Sequence, residues 1–245
     1  MQADQILSEL LPCADEGVSR VHAGWRKSGS PGQYLGVKKA IRRRIAKKYA
    51  GMSFSGIGEL LSSEVMDVRS VGVLVLLENF RKEDVPGKER IFREFLDYRH
   101  LIDDWELVDD LSPELIGSVA MGKMTSGISL LANSGRMWDR RMAMVSTLWP
   151  VRRGDLELAY ELSTMLCGDG EPLVQKAVGW VLREAGKKDP ERLRKFLRDH
   201  GGSLSRVTFS YAVERFSGEE RRLLGRGSGA PSRSRGLPVA LHRNE

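Results

Sequence analysis

The stretch VQKAVGWVLRE, residues 174–184, repeats a pattern that occurs twice earlier in the chain. The earlier copies are DVRSVGVLVLL at 67–77 and DRRMAMVSTLW at 139–149, and all three copies have a cation in the third position. These cations are Arg69, Arg141 and Lys176; the first two are 72 residues apart and the last two are 35 apart. The spacing indicates a unit of about 36 residues with one degenerate copy, a length typical of repeated helical pairs.

The spacing of apolar residues predicts helices along most of the chain. Steps of three and four residues connect Leu60, Leu61 and Val65, and then Val71, Leu74 and Val75, which is helical periodicity. No stretch shows the sustained alternation of apolar and polar residues that a half-buried strand would have, so the sequence predicts an all-α fold. Further helices are predicted at about 4–11, 38–49, 88–99, 104–121, 137–149, 155–166, 172–186, 190–200 and 205–216.

Stacked helical pairs bury a continuous core, and the stack curves. The same position in successive repeats therefore lies on one concave wall, and a cation at that position would make the wall positive. The repeat predicts a single α-solenoid domain over residues 1–224. Residues 225–245, GRGSGAPSRSRGLPVALHRNE, are rich in Gly, Ser, Pro and Arg without periodicity, and we expect them to form a flexible basic tail.

Composition limits the class of protein. The 245 residues are 41% hydrophobic and 29% charged, which is typical of a globular chain. No window approaches 18 consecutive apolar residues, and the first residues carry acids where a signal peptide would carry positive charge. We therefore expect a cytoplasmic protein without a membrane partner. Cys13 and Cys167 lack a CxxC motif, which argues against a disulfide framework or a structural zinc site.

The basic residues are clustered. The net charge is +6, from 39 Lys+Arg against 33 Asp+Glu, and this balance suits a polyanionic partner. Each cluster by itself is compatible with a solvated helix face, whereas three clusters on stacked helices would form a phosphate-binding surface. The clusters are Lys38, Lys39, Arg42, Arg43, Arg44, Lys47 and Lys48; Arg136, Arg140, Arg141, Arg152 and Arg153; and Lys176, Arg183, Lys187 and Lys188.

Four segments resemble a known family. LGVKKAIRRRIAKKY (35–49), WELVD (105–109), MWDRRMAMV (137–145) and QKAVGWVLREAGKKDPERLRKFL (175–197) are similar to the DNA alkylation repair glycosylases of the HEAT-like AlkD family. They occur in the family's order and at compatible spacing, and the last segment is the most specific. The resemblance implies a right-handed α-solenoid of HEAT-like repeats with a concave DNA-binding face. It also implies hydrolysis of the glycosidic bond of N3- and N7-alkylated purines in duplex DNA. With this function we expect a monomer that is nucleoid-associated when bound to DNA.

The resemblance implies roles for single residues. Trp105 and Asp109 match the family's tryptophan and catalytic aspartate, and Trp180 matches the second tryptophan of the cleft. Arg141 matches the arginine that holds the DNA backbone near the lesion, and Arg183 matches another backbone contact. Lys176 and Arg140 are further candidates for contacts with the DNA backbone.

The chemistry supports this assignment independently. Alkylation at purine N3 or N7 makes the base cationic, and cleavage then develops positive charge on the deoxyribose, as in sugar hydrolysis. Such a reaction needs a fixed negative charge near the sugar and gains from π faces. Trp105 and Asp109 are four residues apart, so they share one helix face. We expect the site to need neither a metal nor a cofactor.

The same residues are compatible with structural roles. Trp105 and Trp180 lie among apolar residues and would also suit a core, and Asp109 would suit a solvated acid or a partner for Arg140. The alternative function is a non-catalytic HEAT-like module that binds DNA or a protein. The two functions differ at one point, because only the enzyme needs Asp109.

Overall fold

Helices joined by short connections make up the protein. The structure, a computed structural model, describes residues 2–25 and 32–227. Within these ranges, β-pairing is limited to an isolated parallel bridge between Gln33 and Val65. The prediction of an all-α solenoid of helical repeats is confirmed. None of the helices in this part of the chain is long and apolar enough to cross a bilayer.

The helices are numbered in chain order. The first eight are α1 (Gln2–Leu10), α2 (Glu16–Trp25), α3 (Lys39–Lys48), α4 (Phe54–Leu61), α5 (Met66–Lys82), α6 (Val85–Tyr98), α7 (Trp105–Leu111) and α8 (Gly117–Ala120). The others are α9 (Ser126–Ala132), α10 (Met137–Ser146), α11 (Leu148–Arg152), α12 (Glu157–Leu166), α13 (Pro172–Gly186), α14 (Pro190–His200), α15 (Arg206–Ala212) and α16 (Gly218–Gly227). Short 3₁₀ turns lie at Leu11–Cys13 and Arg99–Leu101, and a π turn lies at Ser112–Ile116.

Proline marks helix starts as the sequence indicated. The helices predicted at 172–186 and 190–200 are α13 and α14, and each has its proline in the first turn. Proline suits this position because the first amides of a helix have no partner within the helix. The Asp189 carboxylate completes the start of α14 by accepting the amide N–H of Arg192 at 2.9 Å.

The helix predicted at 137–149 is interrupted. It forms α10 and α11, with Thr147 between them. The Ser146 and Thr147 hydroxyls each donate to a carbonyl three residues earlier, both at 2.7 Å. Pro150 has no N–H to donate to the Ser146 carbonyl, so the regular helical bonding cannot run through this point. At the C-terminus, α16 ends at Gly227, and residues 228–245 of the predicted tail lie outside the described residues.

Helix α5 is the centre of the N-terminal half. Every residue from Met66 to Leu77 is buried, and the helix packs against α3, α4 and α7. A helix that is covered on all sides must be apolar all round or must pair its polar groups. In the C-terminal half, α10 lies between α7, α9 and α13, and α13 packs against α12 and α15.

Equivalent arginines connect the repeats in the same way. Arg69 on α5 donates to the Leu101 carbonyl at 2.6 Å, and Arg141 on α10 donates to the Leu173 carbonyl at 2.5 Å. In both cases the acceptor lies 32 residues after the arginine. The predicted 72-residue relation between these two helices therefore extends to the contacts that each helix makes.

A buried aspartate two residues before each arginine holds the preceding loop. Asp67 accepts the amide N–H groups of Leu35 at 2.7 Å and Val37 at 2.9 Å. Asp139 accepts the Ser134 hydroxyl and an Arg136 N–H, both at 2.9 Å. Buried carboxylates need such donors, so these contacts fix how the chain enters α5 and α10.

The close packing of α13 on α15 gives a first prediction. A Cβ on Gly179 would lie 2.6 Å from the Thr208 carbonyl oxygen, so Gly179→Ala forces the two helices apart. Overpacking costs about 1–3 kcal/mol, which exceeds the gain of roughly 0.5–1 kcal/mol from the helix preference of alanine. We expect the free energy of unfolding to fall by about 1–2 kcal/mol, measured by denaturant titration. Gly168→Ala is the control, because a Cβ there meets nothing within 4 Å; equal effects of both changes would contradict the prediction.

Candidate functional site

The helix that carries the predicted site begins at a buried cap. Asp104 is fully buried, and its carboxylate accepts the Glu106 amide N–H at 2.7 Å and the Tyr34 hydroxyl at 3.4 Å. These contacts start α7 at Trp105 and attach it to the loop before α3. Burial raises the pKa of the Asp104 carboxyl to about 6, against the hydrogen bond from the Glu106 amide, which lowers it.

The same helix ends in a π turn. Pro113 has no N–H, so it cannot donate to the carbonyl of Asp109 four residues earlier. The chain widens into the π turn Ser112–Ile116, and the Ser112 hydroxyl donates to the Val108 carbonyl at 2.7 Å. The helix predicted at 104–121 is therefore α7 and α8 joined through this turn. Such turns often occur at functional sites, where they change the direction in which side chains point.

Asp109 and Arg141 form the central contact of the site. The Arg141 Nη2 atom lies 2.8 Å from Asp109 Oδ1 and 2.9 Å from Oδ2, and Nε donates to Oδ1 at 3.2 Å. The Arg141 side chain is 6% exposed and that of Asp109 is 19% exposed. The guanidinium is thus almost covered, while part of the carboxylate remains open to solvent. Asp109 pairs with Arg141, and the alternative of a pair with Arg140 is not observed.

The surroundings change the acidity of Asp109. Burial raises the pKa of its carboxyl, and the Arg141 guanidinium, through its charge and its hydrogen bonds, opposes this effect without cancelling it. Asp110 also raises the pKa and Lys39 lowers it. An Asp109 carboxylate is therefore only partly compensated, and an added positive charge nearby would stabilise it.

Helix α13, which contacts Arg141 through the Leu173 carbonyl, also carries Trp180. Leu173, whose carbonyl accepts from Arg141, is followed on the same helix face by Lys176, Trp180 and Arg183 at steps of three and four residues. Trp180 and Trp105 are both half-buried and pack against the core with part of each side chain accessible. The structure thus connects α7, α10 and α13, which carry the predicted catalytic residues, through Arg141.

All three predicted DNA-binding arginines are occupied by protein groups, Arg141 by Asp109 and the Leu173 carbonyl. Arg140 donates to the Asp169 carboxylate at 2.6 and 3.2 Å and to the Ser134 carbonyl at 2.9 Å. Arg183 pairs with Glu214 and also contacts Glu184 at 3.3 Å. Lys176 is half-buried and has no ion pair within the described ranges. A role in binding phosphate stays a prediction for Arg140, Arg141, Arg183 and Lys176, and the lack of an ion pair in the described ranges favours Lys176.

Comparisons with known proteins identify the family of this chain. The family model described as "DNA alkylation repair enzyme" matches residues 8–216. The chain belongs to the DNA alkylation repair enzyme family. A solved structure, "Predicted DNA alkylation repair enzyme from Enterococcus faecalis", is similar with a TM-score of 0.67 at 15% sequence identity. The similarity covers 84% of this chain and 97% of that one, and it shows a shared fold. No curated protein matched the sequence.

Two ion pairs between α3 and α7 were not predicted from the sequence of this family member. Lys39 pairs with Asp110, next to Asp109, and Arg42 pairs with Glu106 at 2.8 Å. Arg42 is buried and does not belong to the exposed basic cluster in which the sequence placed it. The sequence indicates the burial of Arg42, because this residue shares the apolar helix face of Ala46. The acids Glu106 and Asp110 stand four residues apart on α7, so they face the same way.

The described part of this enzyme contains no cluster of potential metal ligands. No group of three or more His, Cys, Asp or Glu side chains suited to a metal ion occurs there. Cys13 and Cys167 are both half-buried free thiols. The described residues bring together one partly exposed carboxylate and its arginine, and α7 and α13 carry the two predicted tryptophans.

The Arg141–Asp109 pair is testable by a double-mutant cycle. Arg141→Gln leaves a largely covered carboxylate without its counter-ion, and we expect the free energy of unfolding to fall by about 2–4 kcal/mol. In an Asp109→Asn background the same change should cost less, with a coupling energy of about 1–3 kcal/mol. Denaturant titration of the four proteins measures this energy. Effects that add within about 0.5 kcal/mol would show that the two side chains do not stabilise each other.

The buried cap predicts a pH dependence of stability. The Asp104 carboxyl has a pKa of about 6 in the folded protein and 3.8 as its ordinary value. Between these values the folded form holds a proton that the unfolded form has lost, so Asp104 makes stability fall as pH rises. Asp104→Asn keeps a capping side chain and removes the titration. The stability of the variant relative to wild type should increase from about pH 4 to about pH 6, measured by denaturant titration; a constant difference would contradict it.

Proposed function

We propose that the protein is a monofunctional DNA glycosylase that hydrolyses the glycosidic bond of cationic N3- and N7-alkylated purines, such as 3-methyladenine and 7-methylguanine, in duplex DNA. Family membership supports an enzyme of DNA alkylation repair. The observation that carries the finer proposal is the Asp109 carboxylate, both of whose oxygens accept from Arg141 while the side chain is still 19% exposed. A fixed and accessible negative charge is what stabilisation of a sugar cation requires.

The reaction needs few groups from the protein. The bond between C1′ and the base nitrogen breaks, and its electron pair goes to the alkylated base, which leaves as a neutral molecule. Positive charge then develops on the deoxyribose, where the Asp109 carboxylate stabilises it. Water adds to C1′ and loses a proton to Asp109 or to solvent, so the products are the free base, an abasic sugar and one proton.

Arg141 positions the carboxylate. Its Nε and Nη2 groups donate to Asp109, and its Nη1 group is bound to the Leu173 carbonyl, so the guanidinium plane is fixed at both ends. A fixed donor keeps the carboxylate in place before the reaction, so that no reorganisation is needed when charge develops. A contact of Arg141 with the DNA backbone, which the resemblance implies, requires that the guanidinium exchange one of these protein acceptors for a phosphate.

Trp105 and Trp180 stabilise the same positive charge on the deoxyribose. A π face near a cation contributes about 0.5–2 kcal/mol, according to how far the contact is shielded from water. Trp105 shares the face of α7 with Asp109, and Trp180 lies on the face of α13 that begins at the Arg141 contact. Specificity would then follow from the positive charge of the adduct, since groups of this kind do not read the edges of the base.

Asp109→Asn tests the proposal. The change keeps the size of the side chain and removes its charge, and we expect the rate of 7-methylguanine release from methylated duplex DNA to fall by about 10²–10³. Binding should be unchanged or stronger, because an acid near phosphates has been neutralised. Trp105→Ala and Trp180→Ala should lower the rate less.

Asp110→Asn is the matched control, because it removes an equal charge one position along the same helix. Its carboxylate pairs with Lys39, so we expect a change in rate of less than about tenfold. Release at the wild-type rate by Asp109→Asn would remove this residue from the mechanism. It would then favour the alternative of a non-catalytic module that binds DNA or a protein.

A further inference from the structure

Arg140, the neighbour of Arg141 in the chain, uses all three nitrogens of its guanidinium for contacts within the protein. Nε donates to Asp169 Oδ2 at 2.6 Å, Nη2 donates to Oδ1 at 3.2 Å, and Nη1 donates to the carbonyls of Ser134 and Gly135. The Asp169 side chain is 5% exposed, so the ion pair is largely shielded from water. A contact with phosphate would require Arg140 to break this pair, and the geometry therefore favours a role inside the protein.

Asp169 connects Arg140 to the start of α13. Its Oδ1 atom also accepts the Glu171 amide N–H at 2.9 Å, and its backbone carbonyl accepts from the Gln175 side chain at 2.8 Å. These two contacts lie on either side of Pro172, where α13 begins. A carboxylate that accepts the amide two residues later fixes a turn, so it determines how the chain enters the helix. Arg140 thereby attaches the first turn of α13 to α10.

The first turn of α13 also carries the group that fixes Arg141. The Leu173 carbonyl accepts from Arg141 Nη1 at 2.5 Å, while Nε and Nη2 of the same guanidinium hold Asp109. Leu173 lies four residues after Asp169, so a shift of this segment moves the acceptor of Nη1. Because a guanidinium is planar and turns as a unit, its contact with the carboxylate would then change too. A continuous chain of contacts thus leads from Arg140 to Asp109.

The N-terminal copy of this arrangement has the carbonyl contact without the second arginine. Val68 stands 72 residues before Arg140, and Arg69 donates to the Leu101 carbonyl through Nη2 instead of Nη1. Arg69 Nε is buried and has no hydrogen-bond partner among the described residues, whereas Arg141 Nε donates to a carboxylate. The contact with the carbonyl therefore does not by itself decide which edge of the guanidinium faces an acid.

We infer that Arg140 and Asp169 are positioning residues for the reaction at Asp109, and that they act by holding the first turn of α13 against Arg141. The inference rests on the proposed function, because it assigns a role in that reaction. For Arg140 it replaces the contact with the DNA backbone that the sequence predicts. Stabilisation of a developing charge needs groups that are fixed in advance, so residues that fix them contribute to the rate without touching the substrate.

Arg140→Lys distinguishes positioning from phosphate binding. Lysine keeps the charge that a phosphate would need, but its single ammonium cannot make two parallel contacts with Asp169. We expect the single-turnover rate of 7-methylguanine release from methylated duplex DNA to fall by roughly 10–100-fold, as displacement of a catalytic group does. The affinity for the same duplex, measured by fluorescence anisotropy, should change by less than about twofold, because the net charge is kept.

Arg192→Lys serves as the control. Arg192 donates to both Glu157 oxygens, at 2.5 and 2.8 Å, and this pair joins α14 to α12 and not α13 to α10. The same substitution thus breaks a two-point ion pair of the same kind outside the chain of contacts, and we expect the rate to stay within about twofold of wild type. Thermal melting of both variants relates rate to stability. Equal losses of rate in the two variants would show general destabilisation and overturn the inference.

The pH dependence of the rate gives a readout that a loss of stability alone does not move. Burial raises the pKa of the Asp109 carboxyl, and Arg141 opposes this effect. The other charged groups that act on it are Asp110 on α7, which raises the pKa, and Lys39 on α3, which lowers it. If Arg141 is displaced, the pKa of Asp109 rises further, and less carboxylate is ionised at a given pH. The acid limb of the rate profile should therefore move to higher pH in the variant and stay in place in the control; an unmoved limb in both would contradict the inference.

Asp169→Asn tests the same contact from the other side. The asparagine oxygen can still accept the Glu171 amide N–H, but the charge that holds Arg140 is lost. We expect the same result as for Arg140→Lys, namely a lower rate at unchanged affinity. Rates within about twofold of wild type in both variants would overturn the inference. Weaker DNA binding by Arg140→Lys with an unchanged single-turnover rate at saturation would identify a phosphate contact and would also overturn it.

The coupling energy between Arg141 and Asp109 separates a failure of this inference from a failure of the proposed function. The four-protein cycle of denaturant titrations that measures it needs no enzymatic activity. In the Arg140→Lys background we expect about half of the wild-type coupling or less to remain, because Arg141 is no longer held at both ends. Reduced coupling in a protein that releases no 7-methylguanine would support the chain of contacts and reject the proposed chemistry. Full coupling in an active protein would overturn the inference and leave the proposed function standing.

Discussion

The contact between Arg141 and Asp109 is the interaction on which the site depends. It connects α10 to α7 through three hydrogen-bond contacts, and the same guanidinium reaches the first turn of α13 through the Leu173 carbonyl. Three helices are thereby fixed around one carboxylate. The arrangement is stable because the more deeply covered partner is the arginine, whose donors are satisfied by protein acceptors, while the acid keeps access to solvent. Structure and proposed chemistry use the same contact.

Helix α7 is short because both its ends are determined by particular groups. Asp104, which is fully buried, caps the first turn of α7, and Pro113 prevents regular helical hydrogen bonding after the last turn. Between them lie fewer than ten residues, among which Trp105 and Asp109 share a face. Two side chains on a rigid element with two fixed ends are held more accurately than two on a loop. The raised pKa of Asp104 is a consequence of this construction.

The net charge of +6 conceals how the basic residues are used. Buried arginines such as Arg42 and Arg69 pair with Glu106 and Asp103, so their charge is balanced inside the protein. Cations such as Arg43 and Lys47 face solvent without a partner in the described part of the chain. Only the second group contributes strongly to the attraction of a polyanion, because counterions are released by charges that are not already neutralised.

The sequence by itself determined the features that depend on residues close together in the chain or on a repeated spacing. Helical periodicity, the proline starts of α13 and α14, the 72-residue relation of Arg69 and Arg141 and the common face of Trp105 and Asp109 are all local or repetitive features. Only the tertiary structure decided which cation meets which acid. Arg140 and Arg141 are adjacent and chemically identical, yet one turns to Asp169 and the other to Asp109. Their directions differ by about 100°, and the acids come from helices and loops about 30 residues away, so packing alone selects the pairs.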